Sequence, residues 1–252
     1  MLPAERHKKI IDLLSHKEIV TIPEFIDTFN ISIETIRRDL TTLEKHGNIK
    51  KVYGGAKLID VTVDEPTLEN RLTEKLQQKI SIGQKCCEFI QDGDCIFIDS
   101  GSTTYQIAKF LGNKKNLTII TNSLPVVNQL IGSDVELILI GGHIRHRERS
   151  VATTDYLFNF SELNIQKSFI CAGGITIENG ISDFNMQEVV TRKNIIDRSK
   201  EVYVVADSSK FQQDVTINVV PLSRIDYIIT DSYLDQNFIA RLQKNKINFI
   251  LA

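Results

Sequence analysis

The sequence contains no long apolar run, and nothing in it approaches the roughly 20 consecutive apolar residues that a membrane-spanning helix needs. Its first residues, MLPAERHKKII, are charged throughout and lack the apolar stretch and small-residue site of a secretory leader. A cytosolic location is expected. Cysteine is scarce, with Cys86, Cys87, Cys95 and Cys171 showing neither C-x-x-C spacing nor histidine neighbours at metal-ligand spacing. This argues against a zinc or disulfide framework and predicts free thiols that serve as small buried apolar groups. An excess of one charge is also missing: 30 basic against 32 acidic residues give a net charge of −2, which excludes a protein that coats nucleic acid by charge alone. At 42% hydrophobic and 25% charged, the chain is neither disordered nor fibrous, and 252 residues suffice for one small and one large domain.

The charge is unevenly placed. Residues 1–59 carry a net +2 and the remainder −4, and within 31–57 there are six basic residues against three acidic. Residues 5–16 put Ile10, Ile11, Leu13 and Leu14 on one side at helical spacing. A second helix is predicted from Thr21, where Thr21 and Glu24 form a capping box and Pro23 occupies the first turn. It ends near Phe29, because Asn30 tolerates a left-handed backbone, and Ser32 then caps a third helix with Glu34 in its first turn. Two helices joined across about three residues satisfy the helix-turn-helix geometry.

The third helix, IETIRRDLTTLEKH, turns Ile36, Leu40 and Leu43 inward and leaves Thr35, Arg37, Arg38, Thr41 and Thr42 outward. Such a short basic face suits the major groove, where arginine reads guanine through paired hydrogen bonds. Gly47 stops this helix. NIKKVYGGAKLI then reads as a hairpin turning at Gly54-Gly55, with Lys50, Lys51 and Lys57 making it a basic wing. One amphipathic helix with two arginines is usually only a solvated face; three helices followed by a basic glycine hairpin, in this order, are more specific.

These residues, TIRRDL and LEKHGNIKKVYGGA, closely resemble the winged helix-turn-helix signature of the DeoR family of transcriptional regulators. The resemblance implies that the helix from Ile33 to about His46 is a recognition helix meeting double-stranded operator DNA through Ser32, Thr35, Arg37, Arg38 and Thr41, with Lys50, Lys51, Tyr53 and Lys57 on the wing. Asp39 is more plausible as an orienting partner for an arginine than as a base reader, since it would repel phosphate.

Residues 58–66, LIDVTVDEP, are mixed and acidic, and Pro66 breaks any continuing element. The reading is therefore a DNA-binding domain over 1–59, a linker and the start of a connector helix over 60–75, and an α/β sensing domain over 76–252. TLENRLTEKLQQKISIGQKCCEFIQDG is read as one long amphipathic helix closing at Gly93. Seven strand-like apolar runs follow, at 95–99, 117–121, 135–140, 167–172, 201–207, 225–230 and 247–251, interleaved with helical or polar segments. That alternation predicts a mainly parallel sheet covered on both faces, with ligands bound outside the carboxyl ends of its strands.

The residues at those ends form a set. Asp99-Ser100-Gly101-Ser102-Thr103-Thr104 leads into a helix; Thr121-Asn122-Ser123, Gly141-Gly142, Gly173-Gly174 and Asp207-Ser208-Ser209-Lys210 follow later strands. Any single glycine pair is usually a plain turn, but hydroxyls, glycines and a lysine converging on one edge suit a phosphate and a polyol. FIDSGSTT, ITNS, LIGG and ADSSKF resemble the DeoR-family effector domain, which is similar in fold to ribose-5-phosphate isomerase. That resemblance implies a phosphorylated sugar effector, with Ser100, Gly101, Ser102, Thr103, Thr104 and Lys210 on the phosphate and Asn122, Gly141, Gly174, Asp99 and Glu188 around the sugar. Ala152 stands where the family often has glycine.

HIRHRERS (143–150) carries two histidines, but its arginines oppose a cation and it is read as a solvated loop; no metal or cofactor is implied. One recognition helix reads few base pairs, so a homodimer or homotetramer on a palindromic site is expected. The expected activity is repression of a carbohydrate operon without catalysis. A sugar-phosphate isomerase with a DNA-binding appendage is the alternative, with Asp99, Asp183, Glu188 and Lys210 its candidate acid–base groups.

Overall fold

In a computed structural model, the chain is described over residues 6–252 except 8, 11–12, 15–16, 18, 46–48, 59–64, 113 and 153–159. It divides into two compact units, Met1–Asp64 and Glu65–Ala252.

In the first unit, strand β1 (Val20–Thr21) leads into helix α1 (Ile22–Phe29), followed by α2 (Ile33–Lys45) and the hairpin β2 (Ile49–Val52) and β3 (Gly55–Leu58). The capping box forms as its residue types require: Glu24 N–H donates to the Thr21 hydroxyl and the Thr21 N–H donates to Glu24 Oε2 at 2.8 Å. Asn30 closes α1 in the left-handed conformation, with φ 48°. Of the helix expected over 5–16, residues 6, 7, 9, 10, 13 and 14 are described and helical; the others, and the expected stop at Gly47, lie outside the described residues. Ile10, Leu14, Phe25, Ile36, Leu40, Leu43 and Ile49 share one core.

The hairpin differs from expectation at its turn. Tyr53 and Gly54 make the turn, Gly54 with φ +78°, whereas Gly55 is a strand residue paired with both Val52 and Thr21. A three-stranded sheet in the order β1-β3-β2 results, and a side chain at Gly55 would meet the Val20 carbonyl.

The second unit begins with α3 (Leu68–Thr73) and α4 (Leu76–Cys87), not with one long helix. The break is at Glu74, which is extended, and Lys75, whose φ is 51°. Periodicity carries across such a kink because the apolar stripe resumes on the far side.

Seven parallel strands follow: β4 (Cys95–Ile98), β5 (Thr118–Thr121), β6 (Glu136–Leu139), β9 (Ile165–Cys171), β12 (Ser199–Val205), β14 (Tyr227–Thr230) and β15 (Phe249–Leu251). Their order is β15-β14-β12-β9-β4-β5-β6, so the chain builds outward from β4 in one direction and then from β9 in the other. The reversal lies between β4 and β9, where an open parallel sheet leaves a crevice beyond its carboxyl ends.

Side chains alternate between the faces. Ile96, Ile98, Ile119, Tyr203 and Val205 pack with α4, α5 (Thr104–Ala108) and α6 (Leu124–Leu130); Phe97, Ile120, Val202 and Val204 pack with α7 (Met186–Ile196) and α8 (Gln236–Lys244).

Two hairpin additions were not anticipated. β7 (His143–Arg145) pairs with β8 (Ser150–Ala152), and β10 (Gly174–Thr176), β11 (Gly180–Asp183) and β13 (Ile217–Val220) form a small antiparallel sheet. Strands of three or four residues fall below the length at which alternation is readable. Gly180, the first residue of β11 after the turn at 177–179, has φ +81°, and a Cβ there would lie 2.1 Å from the Val220 carbonyl oxygen. Gly180→Ala is therefore expected to lower unfolding stability by about 2–4 kcal/mol through backbone strain and overpacking; a thermal melt within 1–2 °C of wild type, roughly, would refute that account.

Candidate functional site

The first unit presents a basic face built on α2. Burial of Ile36, Leu40 and Leu43 fixes the rotation of the helix, and at 3.6 residues per turn this leaves Arg37 and Arg38 exposed. Neither makes an ion pair among the described residues. Asp39 is only 4% exposed and takes Arg6 Nε at 2.5 Å and His7 Nε2 at 3.0 Å. Its arginine partner is thus in the N-terminal helix and not on the recognition face. Burial alone would raise the Asp39 carboxyl; hydrogen bonds from Arg6 and His7 more than offset this and hold it below the usual range.

Several side chains expected to face DNA are already engaged. Ser32 Oγ accepts from Thr35 N–H and lies 3.1 Å from Thr35 Oγ1, so both belong to the cap of α2. Thr41 and Thr42 donate back to the carbonyls of Arg37 and Arg38 at 2.8 and 3.0 Å. Lys51 is pinned: its N–H and its ammonium both reach Glu44 at 3.0 Å, and Nζ also reaches Thr41. These residues brace the wing against α2. Tyr53 at the tip of the wing is fully exposed and Lys57 is exposed, leaving both available to a polyanion. The Lys50 side chain lies outside the described part.

In the second unit the loop after β4 packs so closely on Cys171 that it needs glycine at 101; a Cβ at Gly101 would lie 2.8 Å from Cys171 Sγ. Asp99 is completely buried and orients this loop. Oδ1 accepts the Ser100 N–H at 2.8 Å, while Oδ2 accepts Arg192 Nε at 2.6 Å and the Cys171 N–H at 3.1 Å. Arg192 reaches Asp183 at 2.5 Å as well. Burial raises the Asp99 carboxyl, and Arg192 opposes that shift. Asp99 was expected against the sugar; both its oxygens already accept hydrogen bonds inside the protein, and these tie the loop to β9 and α7.

Glu188, on α7 one turn before Arg192, is 1% exposed. Its carboxylate gathers Ser100 Oγ at 3.3 Å, Asn122 Nδ2 at 3.1 Å, Arg145 Nη1 at 2.9 Å and the Ser150 hydroxyl. Asn122 Oδ1 in turn accepts the Ser100 N–H at 2.9 Å. Residues from the ends of β4 and β5, the β7–β8 hairpin and α7 thus meet at the sheet's reversal point. The Gly101, Ser102 and Thr103 amides have no protein acceptor among the described residues, although the loop is buried. Thr104 is otherwise engaged, its hydroxyl donating to the Asp99 and Gly101 carbonyls. The following helix is only five residues long, so the loop amides and not a helix dipole would attract an anion there.

Two expected residues stand apart. Gly141 is exposed with open space around it, and Gly174 lacks a side chain because the Gln213 carbonyl would lie 2.4 Å from it. Lys210, half-buried, sits in a single helical turn after β12 capped by Asp207. Beside it is a cation that the sequence reading missed. Lys79 on α4 is 2% exposed, donates to the Arg71 and Glu74 carbonyls at 2.5 and 2.7 Å, and lies 4.0 Å from Asp207. Burial lowers its ammonium to about 8, with Lys210 contributing and Asp207 opposing.

The segment 143–150 is not a solvated loop. Arg145 is half-buried between Glu188 and Glu65, and Glu148, 3% exposed, pairs with Arg71. His143 and His146 are exposed, and no group of three or more potential metal ligands occurs among the described residues. Cys171 was expected as an apolar filler; it instead contacts Asp99 and Arg192, and burial raises its thiol well above the ordinary value.

Comparison with known proteins follows this division of the chain. A family described as the DeoR-like helix-turn-helix domain matches residues 6–62, and one described as the DeoR C terminal sensor domain matches residues 74–232. The chain belongs to the DeoR family of transcriptional regulators. It is 36% identical over 241 residues to the HTH-type transcriptional regulator IolR of Bacillus subtilis, covering 95% of each chain. It is 34% identical to the glycerol-3-phosphate regulon repressor of Escherichia coli, covering 92% of each, and 30% identical to a putative aga operon transcriptional repressor of Escherichia coli O157:H7, covering 98% of this chain and 93% of that one. Among solved structures, ribose 5-phosphate isomerase A from Methanocaldococcus jannaschii aligns over 55% of each chain at 15% identity with a TM-score of 0.42. This DeoR-family chain is a DNA-binding regulator with a sensor domain, and no helix among its described residues is long and apolar enough to cross a membrane.

The buried charges make one pH-dependent contribution. Burial, reinforced by Glu188, Glu65 and Asp183 and opposed by Arg71, pushes the Glu148 carboxyl up to about 8 from 4.5. Between those values the unfolded chain has released this proton while the folded chain keeps it, so the contribution of Glu148 to stability falls as pH rises through that window. Glu148→Gln replaces the titratable carboxyl with a neutral amide, and its melting temperature relative to wild type is expected to rise between about pH 5 and about pH 8. A constant difference across that range would show that Glu148 ionises normally against Arg71.

Proposed function

We propose that this DeoR-family protein is a repressor of a carbohydrate-utilisation operon, whose operator affinity changes when a phosphorylated sugar occupies the sheet-edge site of its second unit. The observation that carries the reading is the loop after β4. It is buried, its amides at 101–103 lack acceptors among the described residues, and it adjoins a cluster of hydroxyl, amide and guanidinium donors gathered on Glu188. Such amides suit phosphate, and the polar cluster suits a polyol. In this reading Ser100 to Thr103 and Lys210, with Lys79 behind, take the phosphate, while Asn122 and Glu188 take the sugar hydroxyls. Relatives named as a glycerol-3-phosphate regulon repressor and a putative aga operon transcriptional repressor support the role of operon repressor.

Catalysis is not part of the proposal. An isomerase needs a carboxylate free to take a proton. Asp99, Asp183 and Glu188 each lie against an arginine, so their oxygens are already engaged inside the protein and are not presented to a substrate proton. On DNA, Arg37 and Arg38 read base edges, Lys57 and Tyr53 meet the backbone beside them, and two copies of the chain bind a palindromic operator in the cytosol.

Two experiments test these assignments. In fluorescence anisotropy with promoter DNA from the protein's own locus, Arg37→Ala and Arg38→Ala are each expected to weaken specific binding by about 1–3 kcal/mol, and Lys57→Ala to weaken all sequences alike while reducing the salt slope by about 1. Wild-type-like operator affinity in the double arginine variant would exclude α2 as the reading helix. In a thermal-shift series, ribose 5-phosphate or fructose 6-phosphate is expected to stabilise the protein, by about 2.7 kcal/mol at a hundredfold excess over Kd, and the free sugars are not. Equal stabilisation by free and phosphorylated sugars would remove the phosphate from the assignment.

A further inference from the structure

We infer that Arg145 is the positioning residue that ties the sheet-edge site to the segment where the chain enters the second unit, so that occupancy of the site changes how firmly that segment is held. The inference rests on the effector reading above and concerns how that site is coupled to the rest of the chain.

Glu65 is the first residue of the second unit. It is 6% exposed, and Arg145 Nη2 holds its carboxylate at 2.7 Å. The other terminal nitrogen of the same guanidinium holds Glu188 at 2.9 Å. One planar cation therefore grips two buried carboxylates from opposite ends of its fork, one in the polar cluster and one in the entering segment. Burial opposes the Arg145 charge, but Glu188 and Glu65 together raise its affinity for the proton, so it stays charged with either partner.

The surrounding contacts carry the connection in both directions. The β7–β8 hairpin meets residues 65–71 through the Leu68 N–H to the Arg147 carbonyl at 3.1 Å, Arg71 to Glu148, and Arg149 to Glu69. It meets the site through Ser150 to Glu188 and the Val151 N–H to the Asn122 carbonyl at 2.7 Å. Arg145 alone among these side chains bonds to both an acid of the site and an acid of the segment.

Glu188 now uses two hydroxyls, an amide and a guanidinium as donors, which are the groups a polyhydroxylated anion would also require. A ligand that inserts its own oxygens among them must redistribute those donors. Arg145 is the donor able to move, because a second carboxylate already waits on its far side. Occupancy thereby alters the Glu65 clasp.

The test uses the full-length protein. Glu65→Gln keeps the size of the side chain and removes its charge; Arg145→Lys keeps a cation that cannot grip both acids; Glu69→Gln breaks the exposed pair on the same segment and is the control. Without ligand, hydrogen exchange of the amides of 65–73 is expected to rise at least threefold in Glu65→Gln and Arg145→Lys and to stay unchanged in the control. With ribose 5-phosphate, fructose 6-phosphate and inorganic phosphate as probes, Glu65→Gln is expected to keep the probe-induced thermal shift of wild type. The ratio of operator Kd with and without probe is expected to fall at least fivefold toward one. Unchanged exchange at 65–73, or a full Kd ratio in Glu65→Gln, overturns the coupling role of Arg145. If no probe shifts the wild-type melting temperature, the effector reading fails and the exchange measurement alone decides the clasp.

Discussion

A guanidinium buried to 3% side-chain exposure cannot be left without counter-charge, and the architecture of the sensing unit follows from how Arg192 is satisfied. It pairs with Asp99 at the end of β4 and with Asp183 at the end of β11, and it touches Cys171 at the end of β9. Four elements are thereby fixed at the one place where the parallel sheet reverses direction. Losing one partner of such a buried pair leaves an uncompensated charge, a cost of about 3–5 kcal/mol, so the arrangement tolerates little drift. The loop after β4 inherits this rigidity, because the Asp99 carboxylate that meets Arg192 also receives the Ser100 N–H.

Glu188 lies one turn before Arg192 on the same helix and so points into the same region. The two residues give α7 an unusual inner face. It buries Glu188, Thr191 and Arg192 beside Val189, Ile195 and Ile196. Opposite charges four residues apart on a buried face organise two networks at once, one centred on Asp99 and the other on Ser100, Asn122, Ser150 and Arg145.

That face also marks the limit of what sequence reasoning reaches. The seven sheet strands, the capped helix-turn-helix and the inward stripe Ile36, Leu40, Leu43 were legible because each rests on local chemistry: β-type apolar runs, a Thr-x-x-Glu box, helical spacing of apolar residues. Arg192, Arg145 and Lys79 were not, because periodicity assigns charged residues to the solvent side and only tertiary pairing reverses that assignment. HIRHRERS was read as solvated for the same reason, since nothing local reveals that Glu65, 80 positions earlier, faces Arg145. On the DNA-binding unit the sequence also hid existing partners. Ser32, Thr35, Thr41 and Lys51 have the composition of a contact surface, yet the cap of α2 and the brace to Glu44 already use their polar atoms. The kink at Lys75 escaped detection because a left-handed lysine has no signature in composition.

The balance of buried charge has a consequence for what the site can accept. Five carboxylates, Glu65, Asp99, Glu148, Asp183 and Glu188, face three guanidiniums, Arg71, Arg145 and Arg192. Among the described residues the carboxyl groups of this region thus outnumber the guanidiniums that face them. A purely anionic ligand gains little from such a centre. A ligand with hydroxyls at one end and an anion at the other fits better: its hydroxyls can donate to carboxylate oxygens, while its charge falls toward the loop amides and the Lys79–Lys210 side of the sheet edge. The same asymmetry disfavours the reversed orientation, because a phosphate placed against Glu188 and Asp99 would meet two buried carboxyl groups at short range.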